Sequence, residues 1–102
     1  MDNLFFREDL VHPDILEPGK VSRKVRAHGD KLMIVEVYFE AGSEGAAHEH
    51  LHEQITYCLE GEFDFTSGGV AHRMRQGDSL LVPGGVFHGV KCLSKGRLLD
   101  AF

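Results

Sequence analysis

Gly and Pro residues interrupt this chain at short intervals, and no segment between them predicts a helix of three turns. The segments read instead as short strands. Lys31–Glu40 shows this best, because four of its apolar residues share one parity: Met33, Val35, Val37 and Phe39. Ser67-Gly68-Gly69 predicts a hairpin turn between two of them. The predicted strands are Val21–His28, Lys31–Glu40, Gln54–Glu60, Glu62–Thr66, Val70–Gln76, Ser79–Val82, Val86–Leu93 and Arg97–Phe102. Many short strands at even spacing predict an all-β sandwich or barrel.

The length of 102 residues suits a single domain with one core. We expect an irregular segment over residues 1–20 and a barrel over residues 21–102. The hydrophobic content of 42% is ordinary for a soluble globular protein, and no apolar run is long enough to span a bilayer. Met1–Arg7 has no basic stretch followed by an apolar one, so we expect no secretion signal and a cytoplasmic location.

The charge and the cysteines narrow the range of partners and chemistries. A net charge of -5 gives no electrostatic reason to expect nucleic acid as a partner. Cys58 and Cys92 are too few for a disulfide framework, and both lie in apolar, strand-like runs. We interpret them as buried, reduced thiols.

Three histidines and one glutamine have spacings that could close on a single divalent metal ion. In an extended segment His48 and His50 share a face, roughly 6–7 Å apart, because successive side chains alternate. Gln54 has the same parity, but on a straight strand it would lie about 13 Å beyond His50, too far to share an ion. If Gln54 is a ligand, the chain must bend at Leu51–Glu53, and His88 must arrive from a distant strand.

The ligand set leads to a prediction about the chemistry. Imidazole suits Zn, Ni, Cu, Fe or Mn, so the residues do not select one metal. Three neutral imidazoles and a neutral amide leave the ion's charge uncompensated, which strengthens its Lewis acidity and disfavours a more oxidised ion. We therefore expect chemistry without a redox cycle. His52 lies at the required bend, so we expect its ring to point elsewhere or to lie behind the ligands.

These residues fall into two motifs with defined spacing. The first consists of Gly42, five residues, His48-Glu49-His50, three residues, Gln54, six residues and Gly61. The second consists of Gly77, five residues, Pro83-Gly84-Gly85, two residues and His88. Both resemble the motifs of the cupin family, with Gln54 at the position of the usual Glu. The resemblance implies a small jelly-roll β-barrel, often dimeric, with a metal held inside by these side chains.

A closer resemblance is to the KdgF family, small cupins of pectin and alginate degradation. The run His50–Tyr57 is similar to that family's His-x-His-Glu-Gln-Ile-x-Tyr sequence, in which Gln is the characteristic ligand. The family opens the ring of unsaturated uronates to a linear deoxy keto-uronate. An Asp and a Phe near the C-terminus, followed by an Arg, line its site. Asp100 and Phe102 match the first two, and the sequence ends before the Arg.

Asp100 and Phe102 are therefore the predicted catalytic residues. They share one strand parity, so both can face one cavity. We interpret Asp100 as a general acid or base and Phe102 as an apolar wall; the alternatives are a solvated carboxylate and a frayed chain end. Four residues are candidates to replace the Arg, although the last two also suit a solvated sheet face: Arg23, Arg26, Arg73 and Arg75.

The resemblance thus implies a homodimeric enzyme that uses a divalent transition metal to isomerise a small sugar acid. The expected reaction converts unsaturated uronates from pectin or alginate to 5-keto-4-deoxyuronate. A cupin dioxygenase using iron or copper is one alternative, and Gln54 in place of Glu disfavours it. A non-catalytic sugar- or metabolite-binding cupin is another. A dimer is expected because a small open barrel has strand edges to cover.

Overall fold

The computed structural model describes residues 4–102, which form eight antiparallel strands after a single 3-10 turn at Glu8–Leu10. The strands are β1 (Asp14–Glu17), β2 (Val21–His28), β3 (Met33–Phe39), β4 (Glu44–His48), β5 (Gln54–Ser67), β6 (Val70–Arg75), β7 (Ser79–Val82) and β8 (His88–Ala101). The prediction of an all-β chain is confirmed. Residues 4–102 contain no helix with the length and apolar character needed to cross a bilayer.

The two long strands, β5 and β8, pair with each other from Ile55–Ala101 at one end to Ser67–His88 at the other. Their halves have different neighbours. The first half of β5 pairs with β7 and the second with β6, while the first half of β8 pairs with β4 and the second with β3. The sheet thereby divides into two parts that share both long strands, as in a jelly roll. Among the described residues its hydrogen bonding does not close, because β1 and β6 end the path.

Both long strands continue through glycines that we expected to lie between separate strands. Gly61 has a φ of 89°, and a Cβ on Gly96 would overlap the carbonyl oxygen of Glu60. The register of β5 against β8 also shifts between Cys58 and Phe63. Glycine therefore allows a bulged bend and a close approach of two backbones here. The prediction of four separate strands is wrong at these two places.

The structure confirms two strand bounds and one turn and corrects the prediction for the N-terminal segment. The bounds of β2 and β7 are confirmed, as is the hairpin turn, because Ser67 pairs with Val70. The prediction of an irregular segment over residues 1–20 is wrong for Asp14–Glu17, which pairs with β2. Residues 1–3 of that segment lie outside the described range. All four residues of β1 are exposed, so they carry no alternation of buried and exposed positions that could predict a strand.

The core lies between the two parts of the sheet. Phe39 and Phe63 meet edge to face with ring centroids 5.2 Å apart. Cys58 and Cys92 are both fully buried free thiols, as predicted, and burial raises the pKa of each. The buried hydrophobic cluster consists of Val21, Phe39, Cys58, Phe63, Phe65, Met74, Val82, Cys92 and Leu98.

Candidate metal centre

His48, His50 and His88 converge at one end of this core. His48 on β4 is the register partner of His88 on β8, so their rings are cross-strand neighbours with centroids 4.5 Å apart. His50 follows the end of β4, and its ring centroid lies 5.1 Å from that of His88. One nitrogen from each ring lies within 4.8 Å of the others. Three nitrogens bound at about 2 Å to one ion are at most about 4 Å apart. The three rings would therefore need to move only slightly to bind one ion.

Each of the three rings is oriented by its Nδ1 atom. In every case Nδ1 hydrogen-bonds to a backbone carbonyl two residues away, at 2.9–3.0 Å. A carbonyl can only accept, so Nδ1 carries the proton and Nε2 is left with a lone pair. Metal-binding histidines are typically held in this way.

The Nε2 atom of His88 has no hydrogen-bond partner in the part of the chain that the structure describes. It is the single buried side-chain nitrogen or oxygen within residues 4–102 that lacks a hydrogen bond. Burial lowers the pKa of His88, so the ring stays neutral at neutral pH. The ring of Phe65 is nearly parallel to it, with centroids 5.9 Å apart. A buried unpaired polar atom costs about 1–3 kcal/mol, and a metal ion would remove that cost.

Gln54 directs its carbonyl oxygen at this cluster. Its Nε2 donates to Thr56 Oγ1 at 2.9 Å, which sets the amide so that Oε1 lies 3.0 Å from His50 Nε2. When the proton of His50 is on Nδ1, which bonds to the His52 carbonyl, its Nε2 and the Gln54 oxygen can both act as donor atoms to one cation. The donor set therefore fits a divalent ion, and the predicted bend over Leu51–Glu53 is confirmed.

A glycine turn holds the loop that carries His50. Gly85 N donates to the carbonyl of His50 at 2.7 Å, and a Cβ on Gly84 would overlap the carbonyl oxygen of Leu51. The sequence carries no signal for this contact, because Pro83–Gly85 predicts only the end of a strand and part of a motif. Thr56 was not among the predicted site residues either, although it shares the strand parity of Gln54.

His52 and Phe102 lie beside the cluster. The ring of His52 lies outside the group of three imidazoles found among residues 4–102, as expected. Its backbone carbonyl accepts a hydrogen bond from His50 Nδ1. Phe102 stacks on His50 with centroids 5.9 Å apart and an angle of 24°. Two backbone hydrogen bonds with Met33 hold Phe102, so it is not frayed.

Asp100 is connected to the cluster through Thr56. The Thr56 hydroxyl donates to Asp100 Oδ1 at 2.7 Å while it accepts from Gln54. Burial raises the pKa of Asp100 to about 6, against the opposing effects of the Thr56 hydrogen bond and of His48 and His50. A carboxyl with this pKa can both take up and release a proton near neutral pH.

All six predicted site residues line one cavity of about 390 Å³, a size within the usual range of small-molecule sites. Arg23, one of the four candidate cations, lines it too. The other three lie elsewhere: Arg26 pairs with Glu36, Arg73 with Asp64, and Arg75 with Glu62. The structure thus brings the predicted residues together, and their roles as ligands and catalysts stay predictions.

Comparison with known proteins agrees with this architecture. Residues 35–102 match the family described as "Cupin domain". The chain is 34% identical over 100 residues to the pectin degradation protein KdgF of Dickeya dadantii (strain 3937), an alignment that covers 96% of this chain and 90% of that protein.

Two solved structures are similar over nearly the whole chain. An RmlC-like cupin from Shewanella frigidimarina has a TM-score of 0.91 and 34% identity, covering 99% of this chain and 90% of that one. KdgF from Halomonas sp. has a TM-score of 0.86 and 32% identity, covering 95% and 89%. The fold, the two spaced motifs and these matches together show that the chain belongs to the cupin family and is a relative of KdgF.

Proposed function

We propose that this cupin catalyses the metal-assisted, non-redox ring opening of an unsaturated uronate to 5-keto-4-deoxyuronate. The observation that carries the proposal is the placement of Asp100, a carboxyl with a pKa of about 6, in the same cavity as three convergent imidazoles. The similarity to KdgF supports the substrate class. The cavity volume of about 390 Å³ suits a single sugar-acid ring.

His48, His50, His88 and the Oε1 atom of Gln54 would hold the divalent transition metal. When bound, the metal would act as a Lewis acid on a ring or hydroxyl oxygen of the substrate. The all-neutral donor set supports this role over oxygen chemistry, because no ligand charge stabilises a more oxidised ion. Thr56 would keep the Gln54 oxygen directed at the site through its 2.9 Å hydrogen bond.

Asp100 would move the proton of the reaction. The anomeric hydroxyl loses its proton, and the bond between the anomeric carbon and the ring oxygen breaks. The ring oxygen takes the bonding electron pair, and the resulting enolate accepts a proton on carbon to become the ketone. One proton leaves and one arrives, so a single carboxyl can serve both steps. Phe102 would provide an apolar wall against the sugar ring.

The test uses unsaturated galacturonate, released from unsaturated digalacturonate, and follows the loss of its ultraviolet absorbance. Protein loaded in turn with Zn, Ni, Mn, Fe or Cu should accelerate the loss over the spontaneous rate with at least one metal. Chelator-treated protein should not. An oxygen electrode should record no consumption, since oxygen uptake would favour the dioxygenase. Absence of acceleration with every metal would reject the uronate assignment.

We also propose that the enzyme works in the cytoplasm as a homodimer. The outer face of β5 and β7 supports the dimer, because Ile55 and Leu81 are register partners that are 51% and 53% exposed, with Tyr57 beside them. Association would cover this apolar surface. Sedimentation velocity should give twice the monomer mass, and Leu81→Lys should lower it; a monomeric wild type would contradict the proposal.

A further inference from the structure

Arg23 is the only Lys or Arg among the cavity-lining residues that the structure describes. It lies on β2 opposite Val37, and Val37 lies opposite Leu98 on β8. Cross-strand partners point to the same side of a sheet, and Val37 and Leu98 both line the cavity. Arg23 therefore belongs to the inner surface rather than to the solvated outer face.

The position of Arg23 also suits a ligand that reaches the imidazole cluster. Val35 lies opposite Asp100, in the row next to that of Val37. Arg23 is thus two strands and two residues away from Asp100, about 10 Å across the sheet and about 7 Å along it. A molecule the size of one sugar ring can bridge the gap that remains when the arginine side chain extends inward.

The guanidinium of Arg23 is available, unlike those of its neighbours. Within residues 4–102 its one side-chain hydrogen bond joins Nε to Asp14 Oδ2 at 3.4 Å, and both side chains are about half exposed. Arg26 and Arg97, by contrast, both bind the buried Glu36. Both Nη groups of Arg23 can therefore form the paired hydrogen bonds that a guanidinium makes with a carboxylate.

Arg23 is the one Lys or Arg that the described lining of the cavity offers to an anionic ligand. Glu17, Glu44 and Asp100 also line the cavity, and each would repel a carboxylate when ionised. We infer that Arg23 is the specificity-determining residue of this site and binds the carboxylate of an acidic sugar. The inference rests on the proposed function for the identity of the ligand as a sugar. The preference for an acidic over a neutral sugar follows from the charge of Arg23.

Calorimetric binding of D-galacturonate and of the neutral D-galactose to the metal-loaded protein tests this inference. Wild type should prefer the acid by about 10- to 100-fold, the range for a charge-assisted hydrogen-bond pair. Arg23→Ala should remove the preference, and Arg23→Lys should restore part of it. The matched control is Arg73→Ala on the outer face, which should keep it. An unchanged preference in Arg23→Ala, or none in wild type, would overturn the inference.

Turnover separates this inference from the proposed function. With unsaturated galacturonate, Arg23→Ala should raise KM by about 10-fold or more and leave kcat within a few fold, because the residue is remote from the reacting atoms. An unchanged KM would remove the role of Arg23 and leave the proposed reaction standing. If wild type showed the acid preference and Arg23→Ala lost it, but neither protein showed turnover, the proposed reaction would fall and the Arg23 assignment would stand.

Discussion

Replacing His88 with Ala is expected to abolish stable metal retention. His88 supplies the most buried of the three imidazoles, and its Nε2 has no partner among the described residues. Its removal should weaken metal binding by more than about 100-fold, beyond the usual effect of losing a group that only supports a ligand. The metal content after dialysis, measured by plasma mass spectrometry, should fall from about one ion per chain to near zero.

The thermal midpoint gives a second measure of the same change. A ligand that binds only the folded state stabilises it, so added Zn or Ni should raise the Tm of wild type and leave that of His88→Ala unchanged. His88→Leu keeps a similar side-chain volume without a donor atom and should behave likewise, which separates the loss of the ligand from a packing defect. His12→Ala is the matched control, because His12 is exposed and lies outside the cluster. Full metal content in His88→Ala would remove His88 from the ligand set.

Replacing Asp100 with Asn is expected to lower kcat for uronate ring opening by about 10²- to 10⁴-fold, the usual contribution of a general acid or base. Asn keeps the acceptor oxygen for the Thr56 hydroxyl but cannot carry the proton. Because the carboxylate form must take the first proton, wild-type kcat/KM should fall at acid pH. Burial raises the pKa of Asp100 to about 6 in the metal-free protein, and a bound cation would move this fall to a lower pH. Progress curves across the pH range should show this limb in wild type and not in Asp100→Asn. Equal rates for the two proteins would exclude the role of Asp100.

The same substitution should stabilise the metal-free protein at neutral pH. The pKa of Asp100 is raised from 3.8 to about 6 on folding, so protonated Asp100 favours the folded state. That contribution is complete below pH 3.8 and is lost as the pH rises through 6. Its size is about 2 kcal/mol after allowance for the part of Asp100 that meets solvent. In urea unfolding, the free energy of unfolding of Asp100→Asn should rise relative to that of wild type between pH 4 and pH 7. A difference that does not change with pH would contradict this account.

Lower activity together with higher stability would distinguish a catalytic Asp100 from a structural one. If Asp100 were a structural carboxylate that stabilises the fold through Thr56, Asp100→Asn should lower the free energy of unfolding at neutral pH. If the carboxylate is held in a partly buried site for its proton chemistry, Asp100→Asn should instead raise the free energy of unfolding. The two measurements on one variant therefore test both the environment and the role of Asp100.

The position of His48 beside His50 and the bend before Gln54 could be predicted because both depend on local geometry, whereas His88 was expected only from the spacing of its motif. Two histidines two residues apart lie side by side on any extended segment, and Gln54 can approach them only if Leu51–Glu53 bends. The strand bounds of β2 and β7 followed from alternation and from flanking turns for the same reason. β1 was missed because all four of its residues are exposed, which leaves no hydrophobic pattern.

Apolar alternation and turn glycines were enough to predict an all-β chain, and residue spacing was enough to predict the two motifs and the neutral donor set. The continuation of β5 and β8 through Gly61 and Gly96, by contrast, depends on the folded sheet. So do the link that Thr56 makes between Gln54 and Asp100 and the position of Arg23 facing the cavity. The physical reason is that each of these features depends on the register between strands distant in the chain. That register is chosen by packing over the whole sheet, because a slip of one residue would turn every side chain to the opposite face.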